Sequence, residues 1–181
     1  MVRILSILSL FCLLSLKLSA QSTTVVTQQV DITLTNIIVL EFTSTGTNTG
    51  SAVTMPISTI ANYTSGVSSS TYQLVAASTK AFNIQVKTNA ANFTYTGSYT
   101  TGTTMPVSGK LKLQVTANGT GGSIQNSFSS YQSLTSTNQN LITGCTTGNN
   151  KTFSIQYQAL PGMSYPAGTY ATSVIYTATQ Q

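Results

Sequence analysis

Apolar and polar residues alternate along this chain with a period of two. Lys110-Leu111-Lys112-Leu113-Gln114-Val115 changes character at every step. Phe82, Ile84 and Val86 share one face of a stretch whose other face carries Asn83, Gln85 and Lys87. Successive side chains of a strand point to opposite faces, so the pattern predicts half-buried antiparallel strands. Phe153, Ile155 and Tyr157 repeat it, and Tyr170, Val174 and Tyr176 mark one face of a final strand. No window carries sustained helical spacing. Turn-forming clusters separate the runs at residues 46–51, 65–70, 118–122 and 144–150, and at Pro161-Gly162 and Pro166-Ala167-Gly168. Short strands broken at such intervals predict an all-β sandwich or barrel. Pro56 and Pro106 cannot donate to a ladder and belong at strand starts or edges. The expected core is Phe82, Ile84, Val86, Leu111, Leu113, Val115, Phe153, Ile155, Val174 and Tyr176.

The first twenty residues depart from this period. Arg3, an apolar run over 4–16 and the small residue Ala20 read as an export signal cut after Ala20, which leaves one domain over residues 21–181. The run falls short of the roughly 18 to 20 residues that span a bilayer, and Lys17 ends it. Phe11 ahead of Cys12 does not fit a lipid-attachment site. No later stretch approaches membrane length, so no integral insertion is expected once the signal is gone. The expected location is secreted, extracellular or at the cell surface, with the periplasm as another exported destination.

After the signal, Val26, Val30, Ile32 and Leu34 alternate on one face with Gln28 among them, and residues 36–42 continue as a very apolar run. Two readings fit. The segment is an assembly strand that completes a neighbour's sheet, or it is the first strand of its own sandwich. The second is the simpler expectation, because a first core strand shows the same alternation.

Composition narrows the chemistry. The 181 residues contain no His and no Trp, and the acidic side chains are Asp31 and Glu41 alone. General acid–base catalysis calls for His or a tuned carboxylate pair, and metal sites call for gathered His, Cys or carboxylates. No catalytic residue, metal ligand or cofactor is therefore expected. A Ser–Lys dyad or an N-terminal Thr nucleophile needs no His, but no motif marks either. Asp31 and Glu41 read as solvated charges guarding the apolar run between them. Lys80, Lys87, Lys110, Lys112 and Lys151 are scattered and no Arg follows the signal, so nucleic acid is not an expected partner.

Cys145 stands alone after the signal, which rules out an internal disulfide there. It is a candidate intermolecular thiol, although a half-buried residue in a Gly/Thr loop is the plainer expectation. Asn62, Asn92, Asn118 and Asn150 sit in glycosylation sequons that so Asn- and Thr-rich a chain produces by accident. The tyrosines are better binding candidates. Tyr63, Tyr72, Tyr95, Tyr99 and Tyr131 lie in or beside polar Gly/Ser/Thr stretches, where an amphipathic ring can stack on a sugar or a protein partner. Tyr157, Tyr170 and Tyr176 are expected to fill the core.

The succession Phe82-Asn83-Ile84-Gln85-Val86, Val107-Ser108-Gly109-Lys110-Leu111, residues 148–153, and Pro166-Ala167-Gly168-Thr169-Tyr170-Ala171-Thr172 with Tyr176-Thr177-Ala178-Thr179 resembles the strand order of WxL-type cell-wall-binding domains. It covers roughly the C-terminal two thirds. The tryptophans that name that family are absent, with Phe82 and Phe153 in their places. The closing Ala167-Gly168-Thr169-Tyr170 stretch, running into an alternating last strand, is also similar to chaperone–usher pilin subunits and to spore coat protein U domains. Both resemblances imply a single antiparallel Ig-like β-sandwich of a bacterial envelope or surface, without enzymatic activity. The function they imply is a structural or adhesive component whose partners are like subunits or other envelope proteins. The alternative is a carbohydrate- or peptidoglycan-binding module whose partner is cell-surface polysaccharide.

Overall fold

A computed structural model describes residues 24–43 and 52–181. The expected signal over 1–20, with Cys12 and the cut before Gln21, lies outside the described residues, as does the turn expected at 46–51. The chain divides into two units, Met1–Leu34 and Thr35–Gln181. In the first, residues 24–34 form neither helix nor strand and are exposed throughout.

Among its described residues the second unit is all-β apart from one turn and a half of helix. Its strands are β1 (Ile38–Phe42), β2 (Val67–Ser78), β3 (Phe82–Thr88), β4 (Thr94–Thr96), β5 (Leu111–Asn118), β6 (Ser123–Ile124), β7 (Gln132–Ser133), β8 (Gln139–Cys145), β9 (Gly148–Ala159), β10 (Thr169–Ala171) and β11 (Val174–Gln180), with α1 (Ile60–Ser65) ahead of β2. One sheet runs β1-β2-β9-β5-β7 and a second runs β11-β3-β8-β6, while β10 and β4 make a separate ribbon. Every named pairing is antiparallel.

The period of two is the reason. In β3 every other residue is buried, with Phe82, Ile84 and Val86 inward, and β5 does the same with Leu111, Leu113 and Val115. From β9 come Phe153, Ile155 and Tyr157, and from β2 come Leu74 and Ala76, so the inner faces of both sheets meet in one apolar cluster. Each Val, Leu, Ile or Phe side chain taken out of water there contributes on the order of 1.5 to 3 kcal/mol. Val107, Phe128 and Leu134, outside the named strands, join the same cluster and are fully buried. Val174 and Tyr176 point inward as expected but are only half covered, because β11 is an edge strand.

Where the chain crosses from one sheet to the other, side chains replace ladder hydrogen bonds. Between β5 and β6, Asn118 Nδ2 donates to the Gly122 carbonyl (2.8 Å), and Asn118 Oδ1 accepts from the Thr120 amide (3.1 Å) and hydroxyl (2.7 Å). The Gly119 amide donates to Thr152 O (2.8 Å), which pins the turn to β9. Asn prefers such turns because its side chain bonds its own backbone two residues on.

Three local expectations differ from the structure. The helix α1 has no periodic apolar face and buries nothing. It forms because Thr59 and Asn62 make a capping box, the Thr59 hydroxyl accepting from Asn62 N (3.2 Å) and Asn62 Oδ1 accepting from Thr59 N (3.1 Å). The turn expected over 65–70 is confined to Gly66 (φ +81°), and the serines after it already belong to β2. Likewise the turn expected over 144–150 shrinks to two residues between β8 and β9. Ser, Thr and Asn are turn formers by preference, but tertiary pairing decides their state.

Candidate functional site

At one end of the second unit, where β1 stops at Phe42 and β11 starts at Val174, a groove of about 810 Å³ opens. Residues 52–57, Tyr63 of α1 and the stretch 165–174 line it beside the ends of β2, β5 and β9. The Gly162 amide donates to the Tyr63 carbonyl (3.2 Å), so α1 and the 161–166 loop are tied together.

Aromatic rings dominate this groove. Tyr72 pairs with Ile155 across the β2–β9 ladder, which sets Tyr157 diagonally beside it with ring centroids 6.3 Å apart. Tyr95 and Tyr170 are direct partners in the β4–β10 ribbon, their centroids at 5.0 Å. Tyr165 meets the Tyr170 ring edge-on at 6.3 Å, and Lys110 Nζ lies 5.6 Å from the Tyr165 centroid, within reach of a cation–π attraction. Tyr95 acts from behind. Its hydroxyl donates to Ala167 O (2.9 Å) and accepts from Tyr99 N (3.2 Å). A Cβ at Gly168 (φ +155°) would run into the Tyr95 ring, so glycine is what lets that strand pass.

The hydroxyls differ in their commitments. Tyr170 donates to Pro166 O (3.0 Å), and the Tyr157 and Tyr176 hydroxyls bond each other. Those of Tyr63, Tyr72 and Tyr165 have no partner among the described residues. Lys110 is the one charged side chain on the groove among the described residues. Burial pushes Tyr157 up to about 12, the Tyr72 phenol adding to that and the Tyr176 hydrogen bond opposing it.

Of the candidate tyrosines, then, Tyr63 and Tyr72 come together in the groove and Tyr95 supports its wall. Tyr99 is exposed outside it. Tyr131 is elsewhere, donating to Gln156 Oε1 (2.8 Å) and lying 2.9 Å from the Ser68 hydroxyl. Tyr165 and Lys110 were not marked by the sequence, although a tyrosine between Pro161 and Pro166 cannot sit in a regular ladder and is thereby set on a loop. Tyr157 is buried as expected, and Tyr170 is half covered.

Cys145 closes β8 with no exposed surface, and its thiol is pushed up, first by burial, against lowering by Thr120 and Lys151. The expectation of a half-buried loop residue is corrected to a core residue. An intermolecular bridge through it requires β8 to open. Val26, Val30, Ile32 and Leu34 are 74–88% exposed and in no strand. The apolar run 36–42 that continues this segment does supply the first strand, β1 paired with β2, whereas residues 26–34 ahead of it are in no strand. Alternation reads alike whichever molecule covers the face. Among the described residues no three His, Cys, Asp or Glu gather. No family model matches the chain, and no curated protein matches it.

Proposed function

We propose that this chain is an exported, non-enzymatic structural or adhesive subunit of a bacterial cell surface, an Ig-like sandwich joined to like subunits by strand donation. The observation that carries the reading is an unpaired segment with a strand-like apolar face, in a chain whose sheets have a deficient seam. Residues 24–34 hold an alternating apolar face in water, which costs free energy until something covers it. Among the described residues β1 is paired with β2 alone and β11 with β3 alone, which leaves each an edge strand there. Their inward residues, Ile38, Leu40 and Phe42 on one and Val174, Tyr176 and Ala178 on the other, are half covered. An added strand supplies main-chain hydrogen bonds to a free edge and alternate side chains to a half-covered face. Asp31 and Gln29, whose side chains bond each other at 2.9 Å, occupy the opposite face of the segment and stay in water.

Deleting residues 21–34 tests the reading. Circular dichroism should report a folded chain, and size-exclusion chromatography a monomer that no longer forms the higher-order species of the mature protein. A synthetic peptide of residues 21–34 should bind that monomer. An unfolded deletion variant, or a folded one indifferent to the peptide, overturns strand donation.

A further inference from the structure

A polar dish and the aromatic groove differ in what their polar groups already do. A dish of about 600 Å³ is lined by Gln85, Asn126, Gln132, Asn138, Gln139 and Asn140. Its amides are largely spent on the protein. Gln85 Nε2 donates to Asn140 Oδ1 (2.8 Å), Asn126 Nδ2 to Asn140 O (2.8 Å) and Gln139 Nε2 to Ser133 O (3.1 Å), while Gln139 Oε1 accepts from Thr135 N (3.0 Å). The aromatic groove is the opposite case. Tyr63, Tyr72 and Tyr165 present hydroxyls without partners among the described residues, and Lys110 brings a positive charge with no carboxylate on the same walls.

We propose that this groove binds an acidic saccharide chain, with a ligand carboxylate at Lys110 and sugar rings against Tyr63, Tyr72 and Tyr165. The size is right, since ligand clefts run to roughly 300–1,000 Å³ with apolar walls and a few placed polar groups. A pyranose has an apolar face and an equatorial rim of hydroxyls, which matches half-buried rings whose phenol oxygens are free to donate or accept. Charge complementarity selects the acidic class. Glu41 points out from β1 and does not line the groove, so no protein carboxylate there neutralises Lys110. A phosphate-rich ligand fits poorly, because a single lysine without an arginine fork offers one point charge. The groove is built wholly within Thr35–Gln181 and meets the β1–β11 seam at Phe42 and Val174, while its Lys110 and tyrosine contacts lie outside the set of seam residues that strand donation uses.

The test uses the mature full-length chain with oligogalacturonate and with the same oligomer methyl-esterified, which keeps the rings and removes the charge. The chain has nine Tyr and no Trp, and the groove tyrosines contribute to its intrinsic fluorescence, so a change on titration is compared with that of the tyrosine variants; calorimetry gives the affinity. The acidic oligomer should bind at least roughly tenfold more tightly than its ester, as expected for a hydrogen bond to a charged group. Lys110→Met should erase that difference. Tyr63→Phe, Tyr72→Phe and Tyr165→Phe should each weaken binding by roughly 2- to 10-fold and leave the urea midpoint in place. The chain lacking residues 21–34 should bind the oligomer as the full chain does. The proposal is overturned if the acidic oligomer does not bind, if Lys110→Met binds it equally well, or if Lys110→Met instead abolishes binding of the 21–34 peptide, which would make the groove a peptide site.

Discussion

The hydroxyls of Tyr157 and Tyr176 lie 2.8 Å apart, joining β9 of the five-stranded sheet to β11 of the four-stranded one. Phe42 closes on the same Tyr176 ring edge-on, with centroids at 6.1 Å. A phenolate at this contact would lose its hydration, so burial holds Tyr157 up to about 12 and Tyr176 well above its ordinary 10.

That burial makes stability depend on alkaline pH. Above pH 10 the unfolded chain sheds phenol protons that the folded chain keeps, so the contribution is complete below about 10 and is lost as pH rises through about 12. Two pKa units at Tyr157 amount to about 3 kcal/mol. Urea midpoints should be flat from neutral pH to about 9 and fall beyond 10. Tyr157→Phe should show a shallower fall, with a loss of about 1 kcal/mol at neutral pH from the missing hydrogen bond. An unchanged alkaline limb in that variant would contradict the assignment.

Core truncation should be severe. Phe82 and Phe153 are essentially without exposed surface, so Phe82→Ala and Phe153→Ala should each cost about 3 to 5 kcal/mol in urea melts. Lys112 lies on the outer face of β5, and Lys112→Ala should stay within about 0.5 kcal/mol of the parent.

The strands that define this core were readable because each carries its own evidence. In β3, in β5 and from Phe153 onward in β9 apolar and polar residues alternate along the sequence, and a slip of one residue would reverse every side chain. The helix α1 was not readable from periodicity, since Thr59 and Asn62 stabilise its start and no apolar stripe marks it. The groove was legible only in fragments. Tyr63 and Tyr72 stood out for their polar neighbourhood, but Tyr157, Tyr165 and Lys110 reach the same space from distant parts of the chain. Only the fold brings them together. The segment holding Val26 to Leu34 was recognised as a strand-like pattern, yet a pattern does not say whose sheet it completes.

Charging that segment separates folding from assembly. The double variant Val30→Asp, Ile32→Asp alters side chains that are already in water, so the thermal unfolding of the dilute protein should be unchanged within about 0.5 kcal/mol. Light scattering at high concentration should show that higher-order species are lost. Assembly unaffected by two carboxylates on that face would exclude it as a docking strand.

Cys145 should be inert in the native state. Its thiol is buried and held protonated, whereas reaction requires an exposed thiolate. A thiol reagent should label it only at a rate set by unfolding, and native disulfide-linked dimers should not accumulate under oxidation. Rapid labelling without denaturant would show that β8 opens.

The Asn118 turn also bears on how long the protein lasts. Asn followed by Gly is the pair most prone to spontaneous deamidation, in which the glycine amide nitrogen attacks the asparagine side-chain carbonyl and ammonia leaves. Here the Gly119 amide is committed to Thr152 O, and both ends of the Asn118 amide are held, one by Gly122 O and the other by Thr120. Reaching the attack geometry means breaking all of these at once, so chemical ageing at this bond becomes a process of the unfolded chain. The most perishable dipeptide of the chain thus sits where folding itself preserves it.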